Sequence, residues 1–415
     1  MHMADSLLSP AVATTMYIAS AGATAVSIYK LRKEGASSTA PLKGGIAGGI
    51  DSGMASGMSG RTLGGVDGDM VERKLPTMAV MSALVFAGQM INYTIPGTGS
   101  SGHLCGGMML AGLLGPYAGF LSMIIVLTIQ CLFFADGGLL ALGANVWNMA
   151  FYGCFIGYFL IYRPIMRSKL FAGSDVNSAN RKKIILSSIL GCVLTLQLGA
   201  FSVVLETTFS GITELPLGAF TAIMQPIHLA IGLVEGFITS AVLLFIYDSR
   251  PELLQELSAS EGVKDKRSYK KTIAILAVTA VVVGGGLSLF ASSNPDGLEW
   301  SLFGNSESGY SENMGLDEES YGVESEASEE ASEIQEKTSI LPDYSFANDG
   351  DNKLGTSASG IIGSAMVAGI AIIICLIGRH AKRRRNHSNA CNTSNASNTN
   401  NASNTSDTIE NDNIR

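Results

Sequence analysis

Long apolar stretches are the feature that most constrains how this chain can fold. Most are about 20 residues long, the length at which an α-helix crosses the hydrocarbon core of a bilayer. They occupy 7–29, 76–95, 116–134, 139–162, 184–207, 217–247, 272–292 and 360–378, and a shorter stretch occupies 104–114. Only 15% of the residues are charged, whereas a soluble protein has roughly 25%. The sequence therefore predicts an all-α integral membrane protein.

Clusters of lysine and arginine predict the orientation of the chain. The four clusters lie at 30–33, 163–183, 264–271 and 379–385. Basic loops stay on the cytoplasmic side of a membrane. All four clusters share that side only if 104–114 is a segment of its own, which gives about nine segments. We expect the N-terminus outside the cytoplasmic membrane of a prokaryote and the C-terminus in the cytoplasm.

Changes in composition predict the organisation of the chain. A membrane domain at 1–250 carries a flexible cytoplasmic insert at 35–73, which is rich in Gly, Ser and Met. An accessory segment at 251–385 contains the acidic stretch 304–355, which we expect to be a disordered outer loop. Its carboxylates could concentrate cations or could serve only as a solubilising spacer. An Asn/Ser/Thr-rich tail at 386–415 is expected to be disordered.

The first two residues can chelate a metal ion. The chain begins Met1-His2 without a basic region or a nearby signal cleavage site, so we expect 7–29 to be a retained helix and Met1 to stay. The α-amine, the amide nitrogen of His2 and its Nδ1 could then bind one ion. Because the amide must lose its proton, the ion must favour planar nitrogen donors, as Ni(II) and Cu(II) do. Any chain that begins Met-His has this capacity, so the context matters.

A fourth nitrogen could come from His103, which follows a glycine-rich stretch. Gly97, Gly99 and Gly102 permit tight backbone turns that other residues would resist. Such a loop could fold into the mouth of the bundle and present His103 to the N-terminus. It could equally be a surface loop that carries an ordinary histidine.

Further polar residues lie at membrane depth or in apolar surroundings. His228 precedes Glu235 by two helical turns, so both face one side of a helix. Ionisable groups at membrane depth are candidates for function, although a structural pair that binds backbone groups beside the Pro226 kink is the alternative. Other polar residues could orient a metal-bound histidine or bond between helices; they are Asn92, Ser101, Asp136, Asn145 and Asn148.

Several motifs of soluble enzymes are absent from the sequence. It contains no G-x-x-x-x-G-K-[ST] phosphate loop, no HExxH and no G-x-S-x-G motif, so any ATP-driven step needs a partner protein. The six cysteines form no CxxC pair, and we expect buried free thiols. We expect no prosthetic group, no nucleic-acid partner and no enzymatic activity.

Several sequence blocks resemble a known family. The opening Met1-His2-Met3-Ala4-Asp5 and the blocks AGQMINYTIPGTGSSGH (87–103), FFADGGLLALGANVWNM (133–149) and IHLAIGLVEGFIT (227–239) carry the resemblance. Together they resemble the substrate-specific membrane component of nickel/cobalt energy-coupling-factor transporters, the CbiM/NikM family. The stretch SSNPDGLEWSLFG (292–304) resembles the small accessory subunit of these systems, of the NikN/CbiN type. That subunit would be fused here to the C-terminal side.

The resemblance implies a fold, a site and partners. It implies a seven-helix substrate-binding bundle, followed here by two further transmembrane helices. Met1, His2 and a histidine that matches His103 would hold Ni2+ or Co2+ in a square plane of nitrogens, an arrangement that favours nickel without excluding cobalt. The implied partners are a transmembrane coupling subunit, two cytoplasmic ATPase subunits and membrane lipid.

Two other classes of function stay open at this point. An intramembrane enzyme or assembly factor in cobalamin biosynthesis would use His228 and Glu235 as a catalytic pair. A sensor would use the long polar tail as its output. Turnover without ATPase partners would favour the enzyme, whereas metal accumulation that requires them would favour the transporter.

Overall fold

Helices dominate the structure. The computed structural model describes residues 1–37, 65–257 except 172 and 213, 269–305, 314, 316, 321–323, 325–346 and 354–377 except 375. Seven of the described helices are long and apolar enough to cross a membrane. Large apolar side chains on their outer faces are exposed, among them Ile18, Phe237 and Val278 at 69%, 61% and 62%. A multi-pass membrane protein meets lipid with such surfaces.

The helices follow one another with few strands between them. In chain order they are α1 (Pro10–Ser37), α2 (Gly65–Gln89), α3 (Gly107–Leu114), α4 (Pro116–Phe134), α5 (Leu142–Asn145), α6 (Arg163–Arg167), α7 (Val176–Phe209), α8 (Leu217–Ser249), α9 (Tyr269–Gly285), α10 (Gly297–Phe303), α11 (Glu326–Thr338) and α12 (Leu354–Ile374). A π-helical segment, Val146–Tyr162, joins α5 to α6 without a break. Of two compact units, Met1–Ala368 contains the site, and Gly369–Arg415 is described only at the end of α12.

The predicted segments become helices, some with shifted ends. The stretch 116–134 coincides with α4. The prediction of a helix through 95 was wrong, because α2 ends at Gln89 and the chain turns into a strand. The stretch 104–114 yields only α3, which starts after the left-handed Gly106 and is too short to span a bilayer. The total of about nine spans stays a prediction.

The acidic stretch 304–355 is partly ordered, which corrects the expectation of a disordered loop. It contains α11 and a 3-10 turn at Pro342–Tyr344. Gln335 on α11 donates to the carbonyls of Cys131 at 3.0 Å and Gly137 at 2.6 Å. These buried hydrogen bonds fix α11 against the end of α4, a long-range contact that composition does not reveal.

Two other predicted stretches are described only in part or not at all. The insert predicted at 35–73 lies largely outside the described residues, but residues 35–37 continue α1 and α2 begins at Gly65. The tail predicted at 386–415 lies entirely outside them. Four of the cysteines are free and buried, as predicted: Cys105, Cys131, Cys154 and Cys192.

A short antiparallel hairpin carries the glycine-rich stretch. Strand β1 (Tyr93–Ile95) pairs with β2 (Ser100–Gly102). Gly97 and Gly99 have φ of 79° and 71° in the connecting turn, where residues with a Cβ would be strained. A Cβ at Gly102 would lie 2.7 Å from Ile231 of α8. The hairpin therefore packs closely on α8 and directs the next residue, His103, into the interior, where it is 8% exposed.

Glycines also allow α7 and α8 to pack closely. A Cβ at Gly232 would lie 3.0 Å from Cα of Val193, and one at Gly236 would lie 2.7 Å from Cα of Ile189. The four-residue spacing is the small-residue pattern of membrane helix pairs. Since α8 also carries His228 and Glu235, this packing fixes which side of α8 faces the interior.

The close packing predicts the effect of adding one methyl group. Gly236→Ala should lower the thermal stability of the purified protein in detergent, at a cost of about 1–3 kcal/mol, because the methyl group meets backbone of α7. Gly22→Ala on α1 is the matched control, since nothing lies within 4 Å of its Cβ position. Equal melting temperatures for the two variants would contradict the packing described.

Candidate metal centre

The N-terminal segment enters the interior of the bundle. Met1 and Met3 are 4% and 0% exposed. Asn145 accepts a hydrogen bond from the Met3 amide at 2.8 Å and donates to the Met3 carbonyl at 3.2 Å. The amide of Gly138 donates to the same carbonyl at 2.8 Å. Held on both sides, the segment presents its first two residues to the interior.

Three predicted ligand residues meet at this point. The α-amine of Met1 lies 3.4 Å from Nε2 of His103. The imidazole rings of His2 and His103 stack, with centroids 5.1 Å apart and 12° between their planes. In the described part of the chain, no group of three or more His, Cys, Asp or Glu side chains could hold a metal ion. A site here therefore depends on backbone nitrogen in addition to the two imidazoles.

Asp136 occupies Nδ1 of His2, the ring nitrogen that the chelate needs. Its Oδ1 lies 3.1 Å from Nδ1 of His2, and its Oδ2 accepts from the hydroxyl of Tyr344 at 2.5 Å. Nε2 of His2 is buried without a hydrogen-bond partner. The six-membered chelate ring requires Nδ1 to leave Asp136, so metal binding requires a small rearrangement of His2.

Asp296, in the accessory segment, lies beside the Met1 amine and Nε2 of His103. Its Oδ2 is 3.0 Å from the Met1 amine and 3.6 Å from Nε2 of His103. Its Oδ1 caps α10 by accepting from the amides of Leu298 and Glu299, at 2.8 Å each. Sequence analysis missed this residue. The signal was the D-x-x-E pattern of a capping box in 296–299, which predicts a carboxylate fixed at a helix start.

The charges of these groups are linked. Burial acts to lower the pKa of the Met1 amine, but the surrounding acidic groups, chiefly Asp296, together outweigh burial and the pKa is raised. Burial, followed by the charge of that amine, lowers the pKa of His103, which favours the neutral, metal-binding imidazole. Burial acts to raise the pKa of Asp136, but His2 holds it at about 2. Burial acts to raise the pKa of Asp296, but the Met1 charge, His103 and the amide of Glu299 together hold it well below its usual range.

Three other predicted polar residues, Ser101, Asn92 and Asn148, form hydrogen bonds around the cluster of Met1, His2 and His103. Ser101 donates from its amide to Pro295 at 2.8 Å, and the carbonyl of Asn92 accepts from Ser292 at 2.7 Å. These two residues join the hairpin to the accessory segment. Asn148 donates to Glu206 at 2.8 Å and lies 3.7 Å from Sδ of Met3. Glu206, which sequence analysis also missed, thus supports the buried N-terminal segment through Asn148.

His228 and Glu235 share a helix face but do not form a pair. Nδ1 of His228 lies 2.8 Å from the Met224 carbonyl, so it carries a proton and leaves the Nε2 lone pair free. That Nε2 has no hydrogen-bond partner, and the residue lines a cavity of about 10 Å³ together with Met1 and His103. Glu235 instead accepts from the amides of Cys105 at 3.0 Å and Gly106 at 2.9 Å. It therefore fixes the backbone that follows His103.

Comparisons with known proteins agree with a role in metal transport. Residues 53–253 match the family described as cobalt uptake substrate-specific transmembrane region, and residues 270–380 match the PDGLE domain. A protein of Archaeoglobus fulgidus, provisionally named fused nickel transport protein NikMN, is 29% identical over 92% of this chain and 100% of its own length. Cobalt transport protein CbiM of Sorangium cellulosum is 32% identical over 44% of this chain and 77% of its own length. A crystal structure of a truncated transition metal transporter is 29% identical, covering 60% of this chain and 99% of its own, with a TM-score of 0.43.

The position of Glu235 predicts that it orders the His103 loop. Glu235→Ala leaves two buried amides without acceptors, each at a cost of about 1–3 kcal/mol. We expect faster hydrogen exchange at residues 105 and 106 and a lower melting temperature. Glu214→Gln, at an exposed position, is the control. Unchanged exchange at both amides in Glu235→Ala would show that other contacts hold this loop.

Proposed function

Because the chain belongs to the CbiM family of metal-transport components and also carries a PDGLE domain, we propose that it is the substrate-capture component of an ATP-driven nickel/cobalt uptake transporter. Members of this family are transport components and not enzymes. The chain is therefore a multi-pass membrane protein of metal transport. Beyond family membership, we propose a mechanism of capture, a preferred ion and a set of partners.

The convergence of the Met1 amine, His2 and His103 inside the bundle carries the proposal. The ion would lose its waters and would displace one proton from the α-ammonium group of Met1 and one from the amide of His2, both released to solvent. It would then bind these two nitrogens, Nδ1 of His2 and Nε2 of His103. Asp136 would release Nδ1 of His2, and Asp296 would release the amine as the ion replaces its positive charge. Four nitrogens in a plane favour Ni2+ over Co2+, although the same donors bind both ions.

The proposed transporter requires other subunits and a defined orientation. The chain lacks a phosphate loop, so two cytoplasmic ATPase subunits and a transmembrane coupling subunit would drive release. The proposed topology has a seven-helix bundle and two further transmembrane helices, with the N-terminus outside, where the ion would arrive. The contacts of Glu235 with the His103 loop give it a supporting role in this scheme rather than a role in a catalytic pair with His228.

The chelate predicts how variants of the N-terminus behave. His2→Ala and His103→Ala should each abolish stoichiometric Ni2+ binding by the purified full-length protein, measured as metal content and by isothermal titration. One alanine inserted between Met1 and His2 should do the same, because it keeps both histidines but changes the chelate rings. His387→Ala, in the tail, is the control and should bind Ni2+ normally.

Two patterns of Ni2+ binding among these variants would argue against the N-terminal site. Normal binding by the insertion and His2→Ala variants would reject the N-terminal chelate. Loss of binding in His103→Ala alone would leave His228 as the next candidate ligand, since its Nε2 faces the same cavity.

A further inference from the structure

A wide cleft opens beside the nitrogen cluster. It has a volume of about 700 Å³. The N-terminal segment, the loop 135–138, α10 and α11 form its walls. The cleft therefore lies between the membrane bundle and the accessory segment, and His2 lies in its lining. We call it the acidic cleft.

The charge of this cleft has one sign. Six carboxylates line it: Asp5, Asp136, Asp296, Glu299, Glu329 and Asp343. Among its described lining residues there is no lysine or arginine. A cleft lined by one sign of charge with low-dielectric walls focuses the electric field and raises the local concentration of counter-ions.

Two buried polar groups of the cleft lack partners. Asp5 is 7% exposed, and its Oδ1 accepts from the amide of Ala141 at 2.9 Å. Its Oδ2 has no hydrogen-bond partner, and neither does Nε2 of His2, whose side chain is 9% exposed. Buried polar atoms normally find a partner, and leaving one unpaired is costly. An acceptor and an imidazole nitrogen without partners therefore point to a ligand that enters from the cleft.

The cleft is large enough for a hydrated ion, whereas the cavities at the nitrogen cluster are not. A water molecule occupies about 30 Å³ in the liquid, so an ion with six waters fits into the cleft of about 700 Å³. The two cavities that Met1 and Cys105 line measure only about 10 Å³ each. A cavity of that size holds about one water molecule. An ion that moves from the cleft into the nitrogen cluster must therefore shed its waters on the way.

We propose that the acidic cleft is a receiving site for a hydrated divalent cation, held through its waters by carboxylates before it reaches the histidines. The inference rests on the proposed function, because it supplies the ion to Met1, His2 and His103. Glu329 and Asp343 are exposed and attract the ion, while Asp5, whose Oδ2 is buried without a partner, lies in the cleft lining. The accessory segment contributes Glu299, Glu329 and Asp343, so its fusion to the bundle completes the site.

The test removes charge from the exposed part of the cleft without touching the nitrogen cluster. The variant Glu329→Gln/Asp343→Asn neutralises two carboxylates and keeps side-chain size. Asn suits position 343, where φ is 49°, because it tolerates left-handed backbone. The control is Glu330→Gln/Glu333→Gln, which removes the same charge from α11 at residues outside the cleft lining.

Rates of Ni2+ association distinguish the two variants. In stopped-flow experiments with the full chain in detergent, the cleft variant should associate about three- to tenfold more slowly than wild type at low ionic strength. The control should slow association much less than the cleft variant, because its two carboxylates lie outside the cleft lining. The difference should shrink as salt is raised above about 0.15 M, where the Debye length is about 8 Å. Stoichiometry and dissociation rate should not change.

The outcomes keep this inference distinct from the function on which it rests. Equal slowing of both variants, or wild-type rates in both, would overturn the cleft as a receiving site while nickel binding itself stands. Absence of stoichiometric Ni2+ binding by the wild-type protein would overturn the proposed function and the cleft with it.

Discussion

The hydrogen bonds between Asn145 and the backbone of Met3 are the contacts on which the candidate site depends. They hold an extended chain end inside a helical bundle, where its unpaired amide and carbonyl would otherwise be costly. Gly138 adds a third bond to the same residue. With Met3 fixed, the positions that Met1 and His2 can reach are restricted. Asn145 ends α5 and Gly138 lies in the loop before α5, so this helix and this loop both help to place the amine and the imidazole.

Burial of a charged amine creates the second constraint. A positive charge inside the bundle needs a counter-ion, and Asp296 provides it at 3.0 Å. Since Asp296 also caps α10, the accessory segment is linked to the N-terminus by an ion pair and to the hairpin by the bonds of Ser101. The same carboxylate faces His103. The fused segment is thus a structural part of the candidate site, and it encloses the acidic cleft beside it.

The sequence predicted the membrane-spanning class well because length and apolarity are local properties. α4 coincides with its predicted stretch, and α7 and α8 extend theirs. Local patterns, a Met-His start and turns at Gly97 and Gly99, made Met1, His2 and His103 candidates, and the resemblance to a known family selected them. The capping pattern of 296–299 marks Asp296 as fixed at a helix start, but its place beside the amine depends on a contact across 295 residues of chain, which the sequence does not reveal. Helix periodicity left a functional pair and a structural pair open for His228 and Glu235, and their hydrogen bonds go to backbone groups, as the structural alternative expects.

The account as a whole depends on the geometry of the bound ion. Nickel K-edge X-ray absorption of the loaded wild-type protein measures that geometry directly. The account predicts a square-planar edge shape with nitrogen donors only and no thiolate. A six-coordinate edge with mainly oxygen donors would contradict it and would place the ion among carboxylates and water instead.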